Sequence, residues 1–412
     1  MKLAVIGFGN RGSMYSNYFR KDERVEIVAV CDKNAVKANV AVRDFGIKPE
    51  MSFVDEDEFF SKGKLADVLL IASQDIQHYG QAIKALNVGY DIMLEKPMAE
   101  SYEKCKEIFE LSKKLNRKIY VCHVLRYAPF FTYIKDALDS GEYGEVVSIN
   151  LTENVVYWHQ SHSYVRGNWG NTKKSTPQII AKCCHDIDII DWLIPGKAKS
   201  VSSFGSLSYY KRDNAPENSA DYCFECPVKD SCVYDCDKIY APRTGWLTAY
   251  ANDYADTWDK DKIHAMLRDK NNPYTRCVFK CDNDAVDHQV VNILYENGAT
   301  AHLTMTAFSN AGGRDIHVHC TKGDLVGSMH SNKIVATVFG QESKTIEVDK
   351  LSDGKYAHGG GDVRLVKDII EVFTGGSAKG ATSIENSLPS HAIGYAAEES
   401  RINNGKLVEI KY

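Results

Sequence analysis

Short apolar runs punctuate the first 120 residues. Residues 2–7, 26–32, 67–73, 91–94 and 118–122 each read as a buried strand. Between them the period changes. Tyr79, Ala82, Ile83 and Leu86 recur at i, i+3, i+4 and i+7, the spacing of one apolar helix face. Strands alternating with helices build a parallel, doubly wound sheet with right-handed crossovers. After about residue 123 the pattern shifts again. Residues 147–155 read as a strand, and residues 293–295 and 301–307 flank Asn297-Gly298, a strong hairpin signal. Ala301, Leu303, Met305 and Ala307 alternate with His302, Thr304 and Thr306, which suits a half-buried strand. Residues 316–320 and 325–329 flank Lys322-Gly323 in the same way. The pattern therefore predicts an α/β chain. A doubly wound parallel sheet spans 1–122, and an α+β domain with a large, open, mostly antiparallel sheet spans 123–412, its helices on one face. A last helix around 389–403 is expected near the domain junction.

At 412 residues, two domains can bury their cores without disulfide or metal staples. Lys plus Arg is 50 and Asp plus Glu is 55, a net charge of −5, which argues against non-specific nucleic-acid binding. No apolar run reaches the roughly 18 residues a membrane span needs. The opening MKLAVIGFGN is a strand running into a glycine turn, not a basic leader with an apolar stretch. A cytoplasmic chain is expected, with its twelve cysteines reduced.

Gly7-Phe8-Gly9-Asn10-Arg11-Gly12 fits G-x-G-x-x-G, directly after a strand and at the head of a helix, the context this motif requires. Its glycines let the backbone approach a pyrophosphate at the helix N-terminus. Asp32 lies 20 residues beyond Gly12, at the end of the second strand. A carboxylate there accepts from a ribose 2′-OH and repels a 2′-phosphate, which favours NAD over NADP, although Lys33 stands beside it. Ser73-Gln74 follow the third strand and either line the cofactor or form a plain polar turn.

Glu95-Lys96-Pro97, after the strand 91–94, together with the fingerprint, resembles the glucose–fructose oxidoreductase and inositol dehydrogenase (Gfo/Idh/MocA) family over the whole chain. The resemblance implies a Rossmann domain followed by an α+β domain. It also implies NAD(P)-dependent oxidation or reduction of a sugar or cyclitol hydroxyl, between the nicotinamide and the large sheet. By the same resemblance Glu95 lies at the cofactor and Lys96 is the catalytic lysine. An ammonium beside a substrate hydroxyl and a cationic nicotinamide can relay or orient a proton. Pro97 restricts Lys96 to an extended backbone.

The family's second signature usually reads Asp-x-Gly-x-His-x-x-Asp on a helix. Here His185 and Asp188 match, whereas Ala181 stands for the aspartate, Cys183 for the glycine, and Lys182 sits one place on. On one helix Lys182 and His185 share a face, as do His185 and Asp188, which clusters a cation, a base and an orienting carboxylate. Ile187, Ile190 and Leu193 form the buried stripe. This variant is similar to a subgroup that includes NAD-dependent glycosidases. There a redox-neutral cycle is implied: transient C3 oxidation, elimination of the aglycone, addition of water, and reduction of the ketone. His123, Arg126, His162, Arg166, Asn168, Trp169 and His358 are the candidate substrate contacts, with Tyr164 or Trp169 stacking on a sugar ring. The loop His358-Gly359-Gly360-Gly361 either covers the cleft or simply enters a helix capped by Asp362. Three functions stay open at this point: a net dehydrogenase, a glycosidase, and a non-catalytic sensor of dinucleotide and a small sugar or glycoside.

Cys223-x2-Cys226-x5-Cys232-x3-Cys236 packs four thiols into 14 residues, spacing that suits a structural, tetrahedral zinc. Cys277-x3-Cys281 is a further pair able to supply a ligand. The surrounding insertion, 208–243, lacks clear periodicity, so a metal would supply part of its missing core. Free thiols, or disulfides in an oxidising setting, are the alternatives. The open sheet face suggests self-association as a homodimer or homotetramer.

Overall fold

A computed structural model describes residues 1–242, 259–351, 357–376 and 382–412. The first sheet holds six parallel strands: β1 (Lys2–Ile6), β2 (Glu26–Cys31), β3 (Ser52–Phe53), β4 (Val68–Ile71), β5 (Asp91–Leu94) and β6 (Ile119–Val121), in the order β3-β2-β1-β4-β5-β6. This is the doubly wound arrangement, and the strand order reverses between β1 and β4. Every residue of β4 is buried, because helices cover both faces of the sheet. One core contains Ala82, Ala85, Leu86, Cys105 and Ile108. The opposite core contains Tyr15, Phe19 and Ala41. The predicted strands appear within a residue or two of their expected ends. β3 escapes the sequence pattern because two residues carry no periodicity.

The second sheet has nine strands: β7 (Val146–Val156), β8 (Ala198–Ser206), β9 (His288–Tyr295), β10 (Thr300–Ser309), β11 (Gly313–Cys320), β12 (Gly323–Ser328), β13 (Lys333–Val338), β14 (Lys344–Glu347) and β15 (Val408–Glu409). It is mostly antiparallel, with β10 parallel to β7 at its centre. The Asn297-Gly298 hairpin joins β9 and β10, with Gly298 at φ +86°. One face packs Ile149, Leu151, Leu303, Met305 and Ile316 against Ile187, Ile190 and Ile393 of two helices, Cys184–Leu193 and Ile384–Ile402.

The chain then returns to the first sheet. The helix Gly361–Thr374 places Leu365, Val366, Ile369 and Ile370 in the core beside Leu3, Val5 and Phe8. Ser383 bridges Tyr120 at the edge of β6. The helix Ile384–Ile402 sits at the junction, where His391 accepts the Met98 N–H at 3.0 Å. The final helix thus fixes the strand-end loop that carries Glu95, Lys96 and Pro97. No helix among the described residues is long and apolar enough to cross a membrane.

Candidate active site

A cleft of about 1360 Å³ runs from the carboxyl ends of β1, β2 and β4 to the end of β7 on the second sheet. Its cofactor end begins at the turn after β1. Gly7 has φ +84°, and a Cβ there would lie 2.5 Å from the Ala72 backbone. A Cβ on Gly12 would lie 2.0 Å from the Gly7 carbonyl oxygen. The helix Asn10–Phe19 after this turn has no side-chain cap and no acidic residue in its first turn. Its N-terminal N–H groups and dipole therefore suit an anion at this end of the cleft. Asp32 borders the same space, and its carboxylate accepts the Phe8 and Asn34 N–H groups at 2.7 and 2.8 Å. This close-approach cradle and the aimed carboxylate fit the diphosphate and ribose of a dinucleotide. Gly9, Asn10, Ser73, Gln74 and Glu95 also line the cleft.

Two expected cofactor residues do other work. The Phe8 side chain is buried and packs edge-on against Phe45, so only its backbone serves the turn. Arg11 borders the cleft, but its guanidinium donates to Glu95 at 2.7 Å and to Asp362 at 2.8 Å and lies over the Tyr15 ring. Burial pushes the Glu95 carboxyl up, and Arg11 and Lys96 outweigh burial to hold it below the ordinary carboxylate range. Asp362 is not the expected helix cap. Gly360 takes that position, and Asp362 is spent on Arg11. The triple-glycine loop packs on Val124, whose carbonyl would lie 2.2 Å from a Cβ at Gly361. The His358 side chain lies outside the described residues.

At the other end of the cleft stand Lys96, Lys182, His185, Asn168, Tyr164 and Trp169. The Lys96–Pro97 peptide is cis, and Lys96 Nζ donates to the Ala181 carbonyl at 2.9 Å. The helix expected to carry both Lys182 and His185 is broken. The short helix Gln178–Ala181 ends at Lys182, and a new helix starts at Cys184. Lys182 still reaches the cleft, because Glu153 of β7 holds its ammonium at 3.1 Å. Arg314 of β11 joins them, pairing with Glu153 at 2.7 Å and Asp186 at 2.8 Å. Burial raises Asp186, and Arg314 opposes that rise. Glu153 and Arg314 were missed in the sequence. Their only signal was a charge at an inward position of a strand. The Trp169 indole donates to Asp75 at 2.8 Å, and the Thr176 hydroxyl donates to the same carboxylate at 2.7 Å. Asp75 thus ties the second domain to the start of the helix Asp75–Val88.

Five expected site residues lie behind the cleft or away from it. Asp188 does not orient His185. It faces Arg126, which donates two hydrogen bonds to it at 2.7 Å, and Ser390, which donates one at 3.3 Å. Arg126 is therefore a buried counterion rather than a substrate contact. His123 is fully buried, 3.7 Å from Asp188, its ring edge-on to both His185 and His391. His162 stacks on Tyr274 with ring centres 4.6 Å apart, and its Nδ1 lies 3.1 Å from the Tyr240 hydroxyl. Burial, then Arg166, pushes His162 down to about 3, so it is neutral. Arg166 turns into the cysteine insertion. No disulfide joins any of the twelve cysteines; Cys223, Cys226 and Cys232 line a small cavity, and Cys236 lies outside that lining with its Sγ within 4.8 Å of Cys223.

A Rossmann domain whose dinucleotide crevice opens onto a lysine and a histidine beneath a second sheet defines an NAD-dependent oxidoreductase. The comparisons name the family. Residues 1–123 match the GFO_IDH_MocA model described as "Oxidoreductase family, NAD-binding Rossmann fold". Residues 135–410 match its "C-terminal alpha/beta domain". The chain belongs to this family. It is 25% identical over 366 residues to "Putative oxidoreductase YteT" of Bacillus subtilis, covering 84% of this chain and 82% of that protein. An inositol 2-dehydrogenase of Salmonella typhimurium is 26% identical over 207 residues, 50% of this chain and 57% of that protein. Among solved structures, an Agrobacterium radiobacter oxidoreductase in complex with NAD+, L-tartaric acid and magnesium has a TM-score of 0.71 at 16% identity, covering 99% of this chain and 98% of that one. A levoglucosan dehydrogenase in complex with NADH and levoglucosan has a TM-score of 0.70 at 16% identity, with full coverage of both chains. These structures share the fold.

Proposed function

We propose that the chain oxidises a ring hydroxyl of a sugar, glycoside or cyclitol, with NAD rather than NADP as hydride acceptor. One observation carries the reading: Lys96 and His185, from different domains, both border the part of the cleft where the cofactor crevice meets the second sheet. The relatives named for inositol and levoglucosan support that substrate class. A nicotinamide bound in the crevice would supply the acceptor for the hydride of the carbinol carbon. One Lys96 N–H is spent on Ala181, and the other two are free to donate to the substrate oxygen. His185 accepts the hydroxyl proton as the hydride leaves, and Lys96 stabilises the charge that builds on oxygen. Asn168 and Lys182 position neighbouring hydroxyls, and Trp169, held by Asp75, offers a stacking face. Asp32 selects NAD by accepting from the ribose and repelling a 2′-phosphate. The chain self-associates through the open face of its large sheet, where Leu294, Phe308, Val326 and Val335 are exposed.

A panel of sugars, glycosides and cyclitols with NAD tests the reading by NADH absorbance. Lys96→Met and His185→Asn are each expected to lower kcat by roughly 10²–10⁴, with NAD affinity, measured by calorimetry, changed far less. Full activity in the Lys96→Met, His185→Ala double variant would overturn the assignment. So would release of an aglycone with no net NADH, the behaviour of a redox-neutral glycosidase.

A further inference from the structure

Of the four thiols whose spacing suits zinc, only Cys223 and Cys236 gather, with Asp235, within 4.8 Å of one another among the described residues. The expected four-thiol site is not assembled. The chain between β8 and β9, which carries these cysteines, instead braces one wall of the cleft. Cys236, Tyr240, Ile263 and Tyr274 belong to a core of their own, and Trp158, just beyond β7, packs against it. Tyr274 also stacks on His162 with ring centres 4.6 Å apart. The same chain then reaches the cleft itself, where Met266, Asp269 and Asn271 join the lining.

The braced segment lays a row of rings along the cleft. Trp158 stacks on His159 with ring centres 6.0 Å apart and planes 24° apart. His159 lies 6.0 Å from Tyr164, and Tyr164 lies 6.3 Å from Trp169. All four rings line the cleft. The row has a direction. Tyr164 and Trp169 pack with Ala181, whose carbonyl holds Lys96, so this end stands at the reacting centre. Trp158 and His159, each partly exposed, form the far end, against the inserted chain. Asp269 and Asn271 are exposed at the same border. The nearby cations are turned elsewhere: Arg268 pairs with Asp237 at 2.7 Å and Lys270 with Glu225 at 2.6 Å, and neither lines the cleft. A phosphate at the far end would therefore lack the charged donors it needs. Aromatic faces beside an amide and a carboxylate suit a neutral pyranose, which has an apolar C–H face and a rim of hydroxyls.

We propose that Trp158, His159, Asp269 and Asn271 form a subsite for a second sugar ring, so that the substrate is a glycoside of at least two rings. The proposal deepens the sugar oxidoreductase reading and rests on it. The ring that loses hydride lies at Tyr164 and Trp169, beside Lys96, and its neighbour lies on the Trp158 face. Asp269 accepts from hydroxyls of that second ring, and the Asn271 amide both donates and accepts. The inserted chain thereby sets the length of substrate the cleft takes.

The full-length protein, saturated with NAD, is applied to an array of immobilised monosaccharides and oligosaccharides, and the glycans it retains are titrated by calorimetry. A disaccharide is expected to bind about tenfold more tightly than the monosaccharide it contains. Trp158→Ala is expected to bring that ratio close to one. Because Trp158 also packs on the inserted chain, Asn271→Ala, at an exposed position, is the second variant, expected to lower the ratio about threefold. Trp169→Ala is expected to weaken both ligands alike and keep the ratio. Binding on the array needs no turnover, so the subsite and the redox reading can fail separately. NADH formation from monosaccharides with no gain from a second ring overturns the subsite alone, and disaccharide binding without NADH formation overturns the redox reading while the subsite stands. A gain for an aryl glycoside with none for a disaccharide overturns the proposal. So does an unchanged ratio in either variant that folds, or retention of no glycan at all.

Discussion

His123 shows how a residue's type can be plain in the sequence while its role is hidden. A histidine three residues before an arginine, at the start of the second domain, suggests a polar contact in the cleft. In the fold both ring nitrogens are buried without a hydrogen bond. Burial, then the charges of His391, Arg126 and Lys96, push its pKa well below the ordinary 6.5. His391 is lowered as well, first by burial. The linkage has a definite sign. Below about pH 6.5 the unfolded chain takes up these protons and the folded chain does not, so stability is complete above that pH and falls as the solution is acidified. Each such histidine contributes a slope of up to about 1.4 kcal/mol per pH unit. Urea unfolding from pH 7.5 down to pH 5.5 is expected to show the loss, and His123→Gln to flatten it by up to one proton; an unchanged slope would count against a neutral buried His123. The Arg126–Asp188 pair was equally hidden, because its partners lie 62 residues apart and only tertiary packing joins them.

At the scale of elements, strands buried on both faces announce themselves as continuous apolar runs, and so β1, β4 and β5 were legible. Breaks inside helices were not. The pattern from Ala181 to Leu193 is compatible with one helix, yet the chain interrupts it at Lys182 and Cys183, where Lys182 turns toward Glu153. The segment Ser161–Arg166 winds more widely than an α-helix and sends His162 and Arg166 away from the cleft, a choice no local periodicity records. The glycine turn is the opposite case, since its motif specifies the geometry almost completely. Gly12→Ala would place a methyl 2.0 Å from the Gly7 carbonyl, a backbone atom that cannot swing aside. The turn and the helix Asn10–Phe19 must then separate, at a cost of about 1–3 kcal/mol. NAD affinity, read by calorimetry, is expected to weaken at least tenfold, whereas Gly80→Ala, where a Cβ meets open space, is expected to leave it unchanged.

Across the whole molecule, the cleft depends on ties that cross between the first 122 residues and the rest of the chain. Trp169 reaches Asp75, His391 receives the Met98 N–H, and Asp362 receives Arg11. The last is the most exacting, because Arg11 also holds Glu95, beside Lys96, so the helix Gly361–Thr374 indirectly positions the cofactor side of the active site. Asp362 is fully buried, and its guanidinium partner is about one quarter exposed. Solvent access to Arg11 reduces the penalty below the roughly 3–5 kcal/mol of a fully enclosed pair. Asp362→Ala is therefore expected to cost about 2 kcal/mol in urea unfolding. If this clasp shapes the dinucleotide site, the variant must also bind NAD more weakly, and the two losses are linked. Ligand at 100 times its dissociation constant stabilises the folded state by about 2.7 kcal/mol. Saturating NAD should then restore the midpoint of Asp362→Ala to that of the free wild-type protein. A variant that unfolds earlier yet binds NAD with wild-type affinity would reduce the clasp to packing alone and leave Glu95 positioned by Arg11 without help from the second domain.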